Sequence, residues 1–327
     1  MMRAIVVTGR GGPEVLALKD LPVPAPGGRD VLIRIHAAGV NRADLLLQQQ
    51  QAPIPEGWSV IPGLEVSGVV EAVGRRVRGF AVGDRVMALS LGGGYADYCA
   101  VDERLVIPWP DGLSAEQAAG VPEAVATIWT SLIDRGRPRA GERVLINGGA
   151  SVIGSLSIAI ARHIGCTVVT TAGGAEKCAV ARAAGAVSAI DYRVSDVEEQ
   201  LREASGGAGY DLILDMAGGE TLSRSVSLAA PKGRIVMIGM MAGRTGTVDI
   251  LPLMAKRVSL LGSTLFFRTL AEKGRALSRG WAHAAPLLDR AGGFPLHVDA
   301  CLPLDQAAEA QRRMDESGHH GKVVIQP

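Results

Sequence analysis

Short apolar runs separated by turn residues dominate the first hundred positions. Runs at 3–8, 15–23, 31–38, 68–73, 85–89 and 95–101 are rich in Val, Ile, Leu and Ala, and GGPE, PAPGGRD, RVRGFAVGDR and LGGG punctuate them. Such runs, bounded by Gly, Pro and Asp, predict strands joined by tight turns, hence a barrel-like β domain. Near residue 114 the rhythm changes. Ser114 precedes a helical stretch interrupted at Pro122, and strand then alternates with helix. Strands are predicted at 143–147, 167–171, 189–192, 210–216 and 234–238, and helices at 152–164, 175–184, 197–204 and 221–228. The strands are nearly continuous apolar runs, as when helices cover both faces of a sheet. Alternation of this kind implies a parallel, doubly wound sheet, to which 258–264 adds a sixth strand. Helical segments follow at 270–289 and 305–317, and a terminal strand at 322–326 returns to the first domain.

Composition narrows the class. Of 327 residues, 47% are hydrophobic and 20% charged, a globular balance, and the length suits two domains. Glycine supplies 42 residues, well above the average usage of about 7%, without a three-residue period. Net charge is +1, which gives no electrostatic ground for binding nucleic acid or an acidic membrane. No run approaches the ~18 apolar residues of a membrane-spanning helix, and the start lacks a signal-peptide pattern. The four cysteines, Cys99, Cys166, Cys178 and Cys301, have no CxxC spacing and read as free, buried thiols. The expectation is a cytoplasmic protein.

The sharpest local feature is the strand RVLIN running into Gly148-Gly149-Ala150-Ser151-Val152-Ile153-Gly154 and directly into a helix. In a dinucleotide fold such a turn lets the backbone approach a pyrophosphate, while the helix N-terminus offers unpaired N–H groups. Read as GxGxxG, the central glycine is Ser151; a plain strand-to-helix turn is the competing reading. The end of the next strand tests the cofactor. NAD-specific folds place Asp or Glu there for the ribose 2′-hydroxyl. Here it reads Thr171-Ala172-Gly173-Gly174-Ala175-Glu176-Lys177, with no carboxylate at the tip. That absence, with Lys177 close by and Tyr192 and Arg193 at the end of the third strand, favours the 2′-phosphate of NADPH. An ordinary solvated lysine is the alternative for Lys177.

With these residues in hand, the chain resembles the medium-chain dehydrogenase/reductase superfamily. Within it, the chain is similar to the zinc-free quinone oxidoreductases of the zeta-crystallin type, including the tumour-suppressor-inducible NADPH quinone oxidoreductases. The resemblance covers essentially the whole chain. It is carried by Gly39-Val-Asn41-Arg-Ala-Asp44, Pro62-Gly63-Leu64-Glu65-Val66-Ser67-Gly68, Val82-Gly83-Asp84-Arg85-Val86, Ala118-Ala-Gly-Val-Pro122 through Thr127, the glycine turn, and Gly321-Lys322-Val-Val. It implies an α/β protein with a GroES-like β-rich catalytic domain at 1–124 and 266–327. A Rossmann NADP(H)-binding domain would occupy 125–265, with the nicotinamide in the cleft between them. It also implies a homodimer formed through the sheet edge between Val258 and Thr264.

The residues themselves and the resemblance together assign roles. Asn41, Asp44, Thr127 and Ser151 fall to catalysis. Asn41, Thr127, Gly149, Ser151, Val152, Ile153, Gly174, Lys177, Tyr192, Gly239, Leu265, Phe266, Arg268 and Lys322 fall to the cofactor. Several have bland alternatives: Asn41 and Asp44 as loop formers, Thr127 as a helix-interior residue, Ser151 as a small residue, Leu265 and Phe266 as packing. Zinc relatives bind metal through Cys and His, but the matching positions are Asn41 and Leu64, neither a normal zinc ligand. Glu65 cannot hold a metal alone, and His319 and His320 read as solvated. Without a Lewis acid, oxidation of simple alcohols is disfavoured. Quinones and conjugated enones, which delocalise the developing charge onto oxygen, become the expected small-molecule acceptors. The family's usual tyrosine after the Asn-x-x-Asp segment is replaced by Ala52, for which Tyr95 and Tyr98 are candidate substitutes. No residue stands out as a proton donor. An RNA-binding or crystallin-like role without catalysis is the remaining reading, and the absence of interleaved basic and aromatic residues argues against RNA.

Overall fold

The ten-residue strand β3 (Asp30–Gly39), buried along most of its length, organises the first unit. The computed structural model describes residues 1–49, 58–289, 293–316 and 318–327. These form two compact units, one of Met1–Ala124, Phe267–Trp281 and Leu296–Pro327, the other of Val125–Phe266 with Ala282–Pro295. In the first, a hairpin of β1 (Met2–Val7) and β2 (Leu16–Leu21) precedes β3. Helix α1 (Arg42–Gln48) follows, then β4 (Glu65–Val73), β5 (Arg85–Leu89), β6 (Tyr98–Asp102), β7 (Val106–Pro108) and α2 (Ala115–Ala119). Ile33, Val66, Val70, Val86 and Met87 are fully buried and contribute to an aliphatic core.

Helix α3 (Pro122–Ile128), which crosses from the first unit into the second, begins at a proline, tolerated there because the first helical N–H needs no partner. A π-helical stretch, Trp129–Gly136, continues it. Six strands then form one parallel sheet: β8 (Arg143–Asn147), β9 (Thr167–Ala172), β10 (Ser188–Asp191), β11 (Tyr210–Asp215), β12 (Ala229–Met237) and β13 (Ser259–Gly262). Helices α4 (Val152–Ile164), α5 (Ala175–Ala184), α6 (Val197–Ala204), α7 (Thr221–Leu228) and α8 (Ile250–Ala255) connect them. The strand order β10-β9-β8-β11-β12-β13 reverses direction between β8 and β11, which makes that position the ligand crevice of a doubly wound sheet.

The chain then returns to the first unit through α9 (Leu270–Ala284), β14 (Val298–Pro303), α10 (Ala307–Asp315) and β15 (Lys322–Gln326). The large sheet there runs β14-β15-β3-β4-β5-β7, with β6 pairing the other part of β3. Val324 of β15 lies opposite Gly39, so residues separated by almost the whole chain become neighbours.

Most predicted elements stand where the pattern put them; the departures have local causes. The 114–136 helix is broken twice, by Pro122 and by the π-helical turn. The run at 15–23 begins with a 3-10 turn over Pro13–Val15. The run at 95–101 becomes strand only at Tyr98. Strands β7 and β14 escape the pattern: one has three residues, and the other is a half-exposed edge with weak alternation. All four cysteines are free, but Cys301 on β14 is exposed, which corrects its expected burial. His320 is half-buried rather than solvated; its N–H donates to Asp299 and its ring stacks on His297. Among the described residues no helix is long and apolar enough to cross a membrane.

Candidate active site

Polar chemistry in the first unit gathers where β3 ends. Strand β3 lies between β15 and β4, so its last residues receive a side chain from each neighbour. Lys322 comes from β15 and Glu65 from β4, and they form an ion pair with side chains 4% and 0% exposed. The Lys322 Nζ also donates to Asn41 Oδ1 at 2.8 Å, and Asn41 Nδ2 donates to Glu65 Oε1 at 2.9 Å. The second Glu65 oxygen accepts the Glu123 N–H at 2.9 Å. Both ends of the Asn41 amide are therefore engaged, which fixes its orientation. Gly39 lies beneath this knot. A Cβ there would stand 2.6 Å from both Glu65 Oε1 and Lys322 Cε, so no larger residue fits.

One turn further, Asp44 is 2% exposed. It closes a capping box with Asn41 at the start of α1. Its Oδ2 accepts the Asn41 N–H at 2.9 Å and the Tyr95 hydroxyl at 3.0 Å, and its Oδ1 accepts the Gly63 N–H at 3.2 Å. Burial raises the Asp44 carboxyl to about 6, against the opposing pull of these donors and of Lys322. The same burial, with Asp44 beside it, pushes the Tyr95 hydroxyl well above its ordinary value. Asp44 borders a cavity of about 320 Å³ whose walls include Leu47, Trp58, Ile61, Leu64 and Arg10. Tyr95 itself is fully buried with its hydroxyl committed to Asp44, so it does not present its ring as a substitute for the missing tyrosine. Tyr98 is half-buried on β6, and Ala52 lies outside the described residues.

In the second unit, Gly149, Ser151, Val152 and Ile153 form the turn from β8 into α4. A Cβ on Gly149 would lie 2.2 Å from Thr170 Oγ1, and one on Gly154 would lie 2.2 Å from the Gly148 carbonyl. Those positions accept only glycine. This close backbone approach at a helix N-terminus fits a pyrophosphate. Ser151 is the N-cap of α4: its Oγ accepts the Gly154 N–H at 3.0 Å and donates to the Gly148 carbonyl at 2.9 Å. The hydroxyl is thus committed to building the turn. Across the crevice, buried Asp215 accepts the N–H groups of Ala217 and Gly218 and the Ser225 hydroxyl, fixing the loop after β11. Gly239 packs against the Met216 carbonyl in that loop.

At the next strand ends, Gly174 caps α5, and Lys177 is half-buried in that helix's first turn. A Cβ on Gly174 would meet the Arg193 guanidinium at 2.4 Å, and one on Gly173 would meet the Tyr192 hydroxyl at 2.5 Å. Arg193 pairs with Asp191 at 2.8 Å, and this bonding holds the Asp191 carboxyl down at about 2. The pattern did not reveal this pair, although a carboxylate at a strand end two residues before an arginine was its visible signal.

The remaining expected residues are scattered. Thr127 is half-buried at the end of α3; its carbonyl accepts the hydroxyls of Thr130 and Ser131 where the helix widens. Leu265 and Phe266 are half-buried in the loop after β13, in the second unit. Arg268 belongs to the first unit, where its carbonyl accepts from Lys273. Asn41, Asp44 and Lys322 are brought together. Glu65 and Tyr95, the residues that tie them, were visible in the sequence only as a failed metal ligand and a spare phenol.

A GroES-like β unit with a doubly wound sheet and a phosphate-type glycine turn defines a dinucleotide-dependent class of enzyme. Comparison with known proteins agrees. Residues 27–111 match the alcohol dehydrogenase GroES-like domain, and residues 152–279 match the zinc-binding dehydrogenase family. The human quinone oxidoreductase is 32% identical over 99% of this chain and 98% of its own length. A mycobacterial protein solved in complex with NADPH is 31% identical over all of both chains, with a TM-score of 0.88. A solved NAD-dependent alcohol dehydrogenase is 31% identical over 99% of each chain, with a TM-score of 0.86. The chain belongs to the quinone oxidoreductase family of the medium-chain dehydrogenase/reductase superfamily and is an oxidoreductase.

Removing the Ser151 hydroxyl deletes a helix cap without opening the turn. Ser151→Ala is expected to lower the stability of the second unit by about 1 kcal/mol, measured by urea denaturation followed by far-ultraviolet circular dichroism. An unchanged midpoint would show that the hydroxyl does not hold the turn.

Proposed function

We propose that this protein is a zinc-independent, NADPH-dependent quinone oxidoreductase of the cytoplasm. The observation that carries the cofactor choice is the end of β9. It has no carboxylate for a ribose 2′-hydroxyl, Tyr192 and Arg193 lie against Gly173 and Gly174, and Lys177 stands in the first turn of the helix that follows. Asp191 is nearby, but its charge is matched by Arg193. Since both NADPH and NAD relatives share the fold, these residues rather than the topology support NADPH. When bound, the cofactor supplies a hydride. In the chain itself, Gly149 and Gly154 would admit the pyrophosphate, Lys177 and Tyr192 would hold the 2′-phosphate, and Gly239 would leave room beside the nicotinamide half.

Zinc independence is supported by the donor set. Asn41 spends both amide ends on Lys322 and Glu65, and Leu64 is a buried aliphatic side chain. Quinone as acceptor is supported by the human relative and by the largely apolar cavity beside Asp44. That buried carboxyl, raised to about 6, also favours a second reading, reduction of α,β-unsaturated carbonyls, which need a proton as well as a hydride. The free thiols suit a reducing compartment. A homodimer through β13 is supported by its outer edge and by exposed Ile250, Leu251, Met254 and Leu260 alongside.

Two measurements test this. Binding of NADPH and NADH, followed by tryptophan fluorescence, is expected to favour NADPH at least about tenfold, and Lys177→Ala is expected to remove most of that preference. Equal binding by the wild type, or a preference that survives the substitution, contradicts the assignment. Parallel assays with 1,2-naphthoquinone and a 2-alkenal identify the acceptor class. For the dimer, Leu251→Asp is expected to convert a two-chain mass into a one-chain mass in light scattering coupled to size exclusion. A wild type that elutes as a monomer refutes it.

A further inference from the structure

We propose that Asp44 is the general acid of the reduction and that Tyr95 is its positioning residue. The inference rests on the reading above that a conjugated carbonyl accepts the hydride.

The geometry is specific. Asp44 is the carboxyl that borders the apolar cavity of the first unit, and it is almost completely withdrawn from water. Three donors already face it: the Asn41 and Gly63 N–H groups and the Tyr95 hydroxyl. A carboxylate offers about four acceptor sites, so these leave one for a proton. The donors also prepare the carboxylate that remains after the proton has gone. Tyr95 contributes only through Asp44, because its ring is fully buried and Gln311 faces it from α10. Among the described residues, the other charged groups around Asp44 are few. Lys322 lowers its pKa, Glu65 faces Tyr95, and Arg10 borders the same cavity. Arg42, on the same helix, pairs with Asp315.

The step balances. The acceptor takes a hydride, with its two electrons, from the reduced cofactor at the β-carbon; the Cα=Cβ π pair shifts to join Cα to the carbonyl carbon, and the carbonyl π pair moves onto oxygen. The O–H bond of Asp44 then breaks, and its proton goes to that oxygen. The enol ketonises in water, and Asp44, now a carboxylate, regains a proton from solvent. For a quinone the same transfer yields the hydroquinone. The quinone's anion is the better stabilised of the two, so quinone reduction depends less on the acid.

Dependence on pH distinguishes a chemical role for Asp44 from a structural one. A general acid works only while protonated, so wild-type kcat with a 2-alkenal should fall as pH rises through about 6. Asp44→Asn keeps a side-chain oxygen for the cap. It should lose that pH dependence and about 100-fold in kcat with the 2-alkenal, less than tenfold with 1,2-naphthoquinone, and nothing in NADPH affinity. Tyr95→Phe removes a bond that favours the carboxylate, so the falling limb should move to higher pH. Infrared difference titration of the enzyme without cofactor reads the same group directly. A protonated-carboxyl band with a midpoint near 6 should vanish in Asp44→Asn and shift upward in Tyr95→Phe. Retention of full alkenal turnover and its pH profile by Asp44→Asn, or a titration that neither substitution alters, overturns the proposal. A wild type that oxidises NADPH with neither acceptor overturns the functional reading and this inference together. Wild-type turnover that ignores Asp44 overturns the inference alone.

Discussion

Two charges, Glu65 and Lys322, sit almost entirely out of water at the end of β3. Desolvating each costs several kcal/mol, and their attraction repays that only if the remaining hydrogen-bonding sites are filled. Here they are: Asn41 bonds to both partners, and the Glu123 N–H takes the second carboxylate oxygen. The pair therefore cannot exist without the C-terminal strand in place. Lys322 reaches it because β15 pairs with β3, and Val40 donates to the Val323 carbonyl beside it. Strand β15 thus completes the polar centre begun by Asn41 and Glu65, and Asp44 takes its place one turn beyond.

The second unit relies on a different constraint. Its candidate site is built mainly of backbone rather than charge. Gly149 and Gly154 allow β8, β9 and α4 to approach more closely than any side chain permits, and Ser151 caps the helix so opened. On the far side of the crevice, Asp215 uses its carboxylate to hold a loop rather than to meet a ligand. Besides the committed Asp215, charge stands at the rim, at Lys177, Arg193 and Asp191. This division explains why one unit is read through its glycines and the other through a few buried polar side chains.

What the sequence made legible follows from the same distinction. The doubly wound sheet was visible because its strands are continuous apolar runs alternating with helices. The glycine turn was visible because backbone constraints leave a fixed spacing. The Glu65–Lys322 pair was not, because 257 positions separate partners that meet only through strand order. The Tyr95–Asp44 bond was hidden for the same reason, and a tyrosine beside a glycine loop looks like a ligand contact until its burial is known. Ser151 looked like a departure from a glycine motif; its cap bonds give the serine a structural purpose. Edge strand β14 was missed because half-exposed edges carry little alternation.

The dependence of the candidate site on the buried pair is tested most directly by native-state hydrogen exchange at the Val40 amide, which ties the end of β3 to β15. Because the protein has two units, a local probe is more informative than a global unfolding curve. Measured across a double-mutant cycle of Glu65→Gln and Lys322→Met, each single substitution should lower the opening free energy by about 3 kcal/mol. The double substitution should lose little more than either alone. Single losses below about 0.5 kcal/mol, or losses that simply add, would contradict the account.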